Sequence, residues 1–265
     1  MLNLIQADIF KLRKSIAVKA LVGITTFSSI VMVLMAYFIP KGTIDKSMTG
    51  IGFMFSDINM MSIIGAVIAG IFICGDFDNK VIHTAISSGY SRGTVIAGKS
   101  IVFLISIGIL LIPYALVAVI SLNSGLEFSM GSVGVGFLNL ITRNSGITLT
   151  LSYVGKLIAI ILTLIVVYGA QLSICIPISL TIRRPVFVIA IYYGITILFA
   201  QLVGLKDKFQ VLSDIFSWTP YGGNYTFLTL DSGVGDILKA LIVSLAFIAI
   251  MMLVSYSVFR KAEIK

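Results

Sequence analysis

The side chains that could support chemistry are concentrated in one polar segment, residues 75–99. At the end of this segment Gly93–Ser100 reads GTVIAGKS and matches the phosphate-binding pattern GxxxxGK(S/T). That pattern binds nucleotide only where a buried strand precedes the loop and a soluble α/β core surrounds it. Here a polar loop precedes the match, an apolar run follows it, and no hydrophobic run ends in a Walker-B aspartate. We therefore interpret the match as coincidental and predict that the chain is not an enzyme.

No catalytic or metal-binding set appears elsewhere in the sequence. His83 is the single histidine, and neither an H-E-x-x-H nor a G-x-S-x-G motif is present. Cys74 and Cys175 lack paired spacing and metal-ligand neighbours, so we predict that they are packing residues. Asp57 and Asp76 bracket one apolar segment at opposite ends, whereas a proton-coupled carrier usually buries an ionisable residue at mid-depth. We predict no catalytic residue, metal or cofactor in this chain, and an energy source outside it.

The composition of the chain shows which environment surrounds most of its surface. Of the 265 residues, 58% are apolar and only 11% are charged, and the mean hydropathy is +1.09. Soluble domains carry about 25% charged residues, so these few charges cannot coat a soluble exterior. A water-soluble enzyme and a disordered chain are therefore excluded, and lipid must face most of the surface.

Apolar segments long enough to cross a bilayer define the architecture, since a spanning helix needs about 20 such residues. The predicted spans are residues 17–39, 58–75, 100–122, 157–181, 185–204 and 238–259. We treat residues 1–265 as a single transmembrane domain, because the spans contain no convincing internal repeat.

The distribution of basic residues predicts the orientation. With both termini inside, 12 of the 19 Lys and Arg residues fall on the cytoplasmic side and 7 fall in the longer outer loops. This bias follows the positive-inside rule and agrees with an even number of spans. We attribute the net charge of +8 to topology and to anionic headgroups, and predict no nucleic-acid partner.

Two segments outside the spans have readable patterns. Residues 2–16 space their apolar side chains three and four apart and carry Lys11, Arg13 and Lys14, which predicts an amphipathic helix in the inner headgroup plane. It acts either as an anchor or as a lever that contacts a cytoplasmic partner. In the polar segment a short helix around residues 80–86 ends at Ser88-Gly89, and Ser91 then caps the helix of the third span.

The outer segment at residues 205–237 is rich in aromatic residues. Ser217–Asn224 predicts a break between a short interfacial helix and the sixth span. Trp218, Pro220, Tyr221 and Tyr225 are candidates for an outer gate or for an interfacial aromatic belt.

These features together resemble the permease subunits of bacterial type-2 ATP-binding-cassette exporters, especially those of lantibiotic and antimicrobial-peptide immunity or export. In such permeases an acidic residue after span two precedes a short helix, a Gly-x-Ser-Arg turn and a Gly-Lys pair. The corresponding residues here are Asp76, residues 80–86, Gly89-Tyr90-Ser91-Arg92 and Gly98-Lys99. Asp78-Asn79-Lys80 departs from the common Glu and Gly-Thr form of the family.

The resemblance implies an all-α membrane protein of six spans with a cytoplasmic coupling helix between spans two and three. A second permease, copy or paralogue, would pair with this chain, and a cytoplasmic ABC ATPase that binds ATP and Mg would drive both in the bacterial cell membrane. The docking loop implied by the resemblance contains Asp76, Asp78, Lys80, Ile82, His83, Ile86, Gly89, Ser91, Arg92 and Lys99. A largely neutral cavity suits an amphipathic peptide or lipid-like substrate.

A second class of function remains open from the residues. A non-transporting membrane immunity or binding protein would capture its ligand at the outer aromatic loops, and the aromatic residues between Phe216 and Phe227 motivate this alternative.

Overall fold

The computed structural model describes residues 1–131, 134–146, 151–205, 209–222 and 224–261. Every regular element in these ranges is helical, and no strand is present among them. The helices are α1 Leu2–Lys14, α2 Ile16–Phe38, α3 Thr49–Met54, α4 Asp57–Ala69, α5 Gly75–Asp78, α6 Val81–Ser87, α7 Arg92–Asn123, α8 Gly136–Arg143, α9 Leu151–Leu172, α10 Cys175–Ile182, α11 Pro185–Leu205, α12 Gln210–Ser217 and α13 Val234–Lys261. Short 3₁₀ turns lie at Lys46–Met48 and Asn224–Thr226, and a π-helical turn lies at Gly70–Cys74.

Six helical stretches are long and apolar enough to cross a membrane, so the predicted all-α membrane protein is confirmed. They are Ile16–Phe38, Lys46–Asp78, Arg92–Asn123, Tyr153–Ile182, Pro185–Leu205 and Val234–Arg260. We number them as spans one to six. The third begins well before the predicted residue 100, because the Ser91 hydroxyl accepts the Thr94 amide at 3.2 Å and starts the helix there.

Two of the spans are not single α-helices. Span two passes from α4 through the π-helical turn into α5, and Gly70 in that turn lies against Pro185 at the start of α11. A Cβ on Gly70 would lie 2.9 Å from the Pro185 Cβ, so only glycine permits this approach. Span four is interrupted at residues 173–174, between α9 and α10.

The two ends of the bundle differ in chemistry. At the end we call the basic end, α1, the 76–91 loop, the Arg183-Arg184 turn and the last turn of α13 come together. At the opposite end, which we call the distal end, lie residues 39–56, 124–131, 134–146, 209–222 and 224–230, which are joined there by contacts such as Gly52 with Met130 and Leu230 with Asn144. α1 packs on α7, α2 packs on α7, and α13 packs on α9 and α10.

A buried helix that the sequence did not predict lies at the distal end. α8 belongs to the outer segment between spans three and four, for which the sequence predicted no helix, yet residues 136–141 are all buried. It packs on α7 and α4. Its eight residues are too few to span a bilayer, which is why hydropathy and length alone do not reveal it.

Span five is the most exposed of the six described spans. Val186, Phe187, Ile197 and Leu198 on α11 all point out of the bundle, as do Ile242 and Leu253 on α13. Apolar side chains on the outside require an apolar environment, which lipid or a second chain supplies.

Candidate functional site

A cluster of four charged residues, which we call the ion-pair cluster, lies at the basic end. Lys99 Nζ donates to both carboxylate oxygens of Asp8 at 2.7 Å and also to Oδ2 of Asp76. Lys11 Nζ donates to the other oxygen of Asp76. Two acids therefore face two bases, and the cluster has no net charge.

Most of the ion-pair cluster is shielded from solvent. The side chain of Asp76 is 0% exposed, those of Asp8 and Lys99 are 10% and 12% exposed, and only Lys11 is substantially open at 41%. A buried charge is tolerated when it is paired and hydrogen-bonded, and removal of one partner leaves another uncompensated. The four residues thus constrain one another's positions.

Three different elements bring these residues together. Asp8 and Lys11 stand three apart on one face of α1, Asp76 follows the π-helical turn, and Lys99 lies two turns into α7. Ser15 ends α1 and caps α2, because its hydroxyl accepts the Val18 amide at 3.4 Å. The ion-pair cluster therefore fastens α1 to the ends of spans two and three.

The predicted docking residues Asp76 and Lys99 belong to this cluster, whereas Asp8 and Lys11 were not predicted as site residues. The sequence did contain a signal for Asp8 and Lys11. Asp8 is the one acid on a helix whose other charges are basic, and it is spaced to share a face with Lys11.

Arg92 closes a second link between the loop and the rest of the bundle. Its Nη1 donates to the carbonyl oxygens of Phe259 at 3.1 Å and Arg260 at 2.8 Å, which are acceptors at the end of α13. Its guanidinium carbon also lies 5.8 Å from the centre of the Phe259 ring. Arg92 therefore joins the start of span three to the end of span six.

An aromatic contact extends this link to the turn between spans four and five. The rings of Phe77 and Phe259 meet edge-to-face at a centroid distance of 6.1 Å. The guanidinium of Arg183 lies 4.6 Å from the centre of the Phe77 ring.

α6 forms the most exposed part of the polar segment. Asp78, Lys80, Gly89 and Ser91 are exposed, and His83 and Ile86 are half-buried. Ile82 is buried and packs the helix onto the bundle. We call the exposed side chains of α6 and of the residues just before it the loop surface, defined as Asp78, Lys80, Val81, Thr84 and Ser87.

The chain reverses direction on both sides of α6. Lys80 adopts φ 55° before the helix, and Gly89 adopts φ 92° after it. Both values lie in the left-handed region that favours glycine, and Gly89 meets that requirement in the Gly-Tyr-Ser-Arg turn.

The Gly93–Ser100 match forms the first turns of α7 rather than a phosphate loop. From Thr94 onward the backbone amides are used by the helix and its Ser91 cap, so the segment does not present the amide cradle that phosphate binding requires. Among the described residues no group of three His, Cys, Asp or Glu side chains is placed to hold a metal ion.

The predicted outer residues occupy unequal positions at the distal end. Trp218 is 71% exposed, whereas Pro220 and Tyr225 are buried and Tyr221 is half-buried. The Tyr225 hydroxyl donates to the Ser217 carbonyl. Burial raises the pKa of the Tyr221 and Tyr225 hydroxyls, so both are neutral donors.

Tyr221 and Gln171 fasten the break before span six to span four. The Tyr221 hydroxyl donates to the Gln171 carbonyl, and Gln171 Nε2 donates to the Pro220 carbonyl at 2.8 Å. The Tyr221 ring also stacks on Phe199 of α11 at a centroid distance of 4.3 Å. The break is therefore packed against two spans.

A cleft of about 330 Å³, which we call the distal cleft, opens beside this break. Its walls come from α4, α11 and the residues around the break, and they are mostly apolar. Its polar groups are supplied by Asn59, Ser62, Gln171, Tyr193, Thr196, Tyr221 and Thr226. An apolar cleft with a few fixed polar groups is the usual form of a small-molecule or peptide site.

A buried carboxylate lies deeper at the distal end. The sequence places Asp57 at the edge of the second span, but the structure buries it completely beneath α8. Its Oδ2 accepts the Phe137 amide at 2.9 Å and the Tyr168 hydroxyl, and its Oδ1 has no hydrogen-bond partner among the described residues. Gly136, at φ 62°, makes room for it, because a Cβ there would lie 2.0 Å from Oδ2.

The fold and these sites define an all-α, multi-pass membrane protein with a basic end held together by ion pairs and a cleft at its distal end. The sequence matches no protein-family model, and no curated protein is significantly similar to it.

Proposed function

We propose that this chain is the membrane-spanning subunit of an ATP-driven exporter in the bacterial cell membrane. It forms a translocation path with a second permease, and separate ABC ATPase subunits dock on the basic end, which faces the cytoplasm together with both termini. ATP and Mg belong to the partner chain. The observation that carries the proposal is the ion-pair cluster, which ties α1 and spans two and three together directly beside the exposed α6.

This arrangement suits the transmission of force. α6 is only seven residues long and is joined to span two through α5 and to span three through the Gly89–Ser91 turn. A push on α6 moves both spans together, because the Lys99 pairs hold Asp76 and α1 to α7. Arg92 extends the movement to the end of span six. Such rigid-body displacement is how a shift at one site becomes a change of access at another.

The lining of the distal cleft is suited to a substrate that has both apolar and polar parts. Its apolar walls and few hydrogen-bonding groups accommodate an amphipathic or antimicrobial peptide or a lipid-like molecule better than a small ion. Export of such a compound would make the system a resistance or immunity transporter.

The proposal is tested by capturing the ATPase. The chain, expressed with the genes that neighbour its own, is purified in mild detergent and should retain a partner of about 25–35 kDa, the size of one compact ATPase domain. The double variant Lys80→Glu/Val81→Asp changes the loop surface without touching the ion-pair cluster, and should lose the partner and the substrate-stimulated ATPase activity.

A matched control makes the same kind of change at the distal end. Lys46→Glu/Met48→Asp also alters an exposed lysine and an exposed apolar residue, and should retain the partner. Equal retention of the ATPase by both double variants, or the absence of any ATPase from the purified wild-type chain, would refute docking at α6.

The exposed Trp218, three positions before the cleft residue Tyr221, favours a second candidate, a non-transporting immunity protein that captures its ligand at the outer aromatic residues. Cells that carry the chain but lack every neighbouring ATPase gene distinguish the two. Full protection of those cells supports the immunity protein, and loss of protection supports the exporter.

A further inference from the structure

We propose that the groove between α1, α2 and α7 binds one anionic phospholipid of the leaflet that surrounds the basic end. The phosphate lies between Arg13 and Lys19, and one acyl chain lies along the seam between spans one and three. This site is separate from the loop surface and from the distal cleft, and it does not depend on the exporter proposal.

The groove is a lipid-sized, apolar channel with two cations at one end. A cavity of about 470 Å³ lies between Ile9 and Leu12 of α1, Val22 of α2, and Ile105 and Ile109 of α7. Apart from Arg13 and Lys19, all the side chains that line it are apolar.

A second cavity continues the channel along α2 and α7 toward the mid-depth of the membrane. Its volume is about 370 Å³, and it shares Val22 and Ile109 with the first cavity. The one hydroxyl in its lining, that of Thr26, is used within its own helix, where it donates to the Val22 carbonyl at 2.7 Å. The lining therefore offers an acyl chain no unsatisfied polar group.

The length of the channel agrees with half of a bilayer. It runs along α2 from Lys19 to Ile30, and eleven helical residues rise about 16 Å. Half of a hydrocarbon core is about 15 Å thick. An acyl chain whose headgroup lies at Lys19 thus reaches the middle of the membrane at Ile30.

The two cations at the mouth are available to a ligand. Arg13 and Lys19 are exposed, and neither forms an ion pair with any residue in the part of the chain that the structure describes. Lys11 and Lys99, by contrast, are paired with carboxylates of the ion-pair cluster. A basic pocket next to an apolar groove at headgroup depth is the arrangement that selects anionic lipid.

The channel also opens sideways to the membrane. Phe27 on α2 and Ile112 and Leu116 on α7 are exposed apolar residues along the same two helices. A lipid can therefore enter from the bilayer, whereas free phosphate would meet only two solvated cations and leave the apolar groove unused.

The test measures lipid binding to the full chain in detergent by native mass spectrometry. Phosphatidylglycerol and phosphatidylcholine with identical acyl chains are compared, and glycerol-3-phosphate represents the headgroup without chains. We expect one retained phosphatidylglycerol, weaker binding of phosphatidylcholine, and no competition by glycerol-3-phosphate. Each cation that contacts the headgroup contributes about a fivefold gain in affinity for anionic lipid, so Arg13→Gln/Lys19→Gln should bind about 25-fold more weakly.

Two further variants separate the headgroup from the acyl chain. Lys14→Gln removes a neighbouring exposed cation of α1 that does not line the groove, and should bind like the wild type. Val22→Trp fills the groove and keeps both cations, and should lose the retained lipid. Equal binding of the two lipids, an equal loss in Lys14→Gln, or competition by glycerol-3-phosphate would overturn the proposal. No ATPase is present in this assay, so its result is independent of the exporter proposal.

Discussion

Lys99 is the residue whose removal should most disturb the basic end. It is the only base that contacts both acids of the ion-pair cluster, and its side chain is 12% exposed. In Lys99→Gln, Asp76 keeps Lys11 but Asp8 loses the partner that both of its oxygens contact. The cluster changes from neutral to a net charge of −1 in a largely dry environment.

The expected magnitude follows from burial. Removing one member of a buried ion pair typically costs about 3–5 kcal/mol, because the remaining charge is left uncompensated. Lys11→Gln removes the same charge from a side chain that is 41% exposed, so its cost should be about 1 kcal/mol or less. Adding Asp8→Asn to Lys99→Gln restores neutrality and should recover about 1–3 kcal/mol.

The assay is unfolding of the purified chain in mixed detergent micelles, with the helical circular dichroism signal reporting the free energy of unfolding. All four proteins are compared at one pH and one salt concentration. The reasoning is refuted if Lys11→Gln destabilises the protein as much as Lys99→Gln does. It is also refuted if the double variant is less stable than Lys99→Gln alone.

Three further substitutions test other contacts. Gly136→Ala should cost more than about 2 kcal/mol of unfolding free energy, because its φ of 62° disfavours a side chain and its Cβ would overlap Asp57. Gly125→Ala has a similar φ of 65° but open space around it, so it is the control that should cost less. Tyr168→Phe should cost about 1.5–3 kcal/mol in the same assay, since it removes a hydroxyl donor from a buried carboxylate; an unchanged value would show that the bond does not contribute. Arg92→Met should speed amide hydrogen exchange in the last turn of α13 by about tenfold, and unchanged exchange there would contradict the capping role.

Much of the architecture could be predicted from the chain alone. A spanning helix is defined by a local quantity, the hydropathy of about 20 consecutive residues, so all six spans were found. The amphipathic start was visible from its three- and four-residue spacing and is observed as α1. The capping role of Ser91 was likewise a local signal.

Other features depend on contacts between residues that are distant in sequence. Lys99 and Asp8 are 91 positions apart, and no periodicity in either segment predicts that they pair. The burial of Asp57 is decided by α8, which folds over it from 80 positions away. From the sequence, that carboxylate was placed at the end of a span with no special role.

The sequence by itself therefore determined that the protein has six helices able to cross a membrane and that most of its scarce charges lie near or beyond the ends of its apolar segments. It could do so because hydrophobic transfer acts residue by residue along a helix. Only the tertiary structure decided which of those charges pair with one another, which remain open to a ligand, and which carboxylate is enclosed. Those outcomes depend on how far apart two charges lie and on how well they are shielded from water, because these two quantities set the strength of an electrostatic interaction. Both are properties of the folded chain.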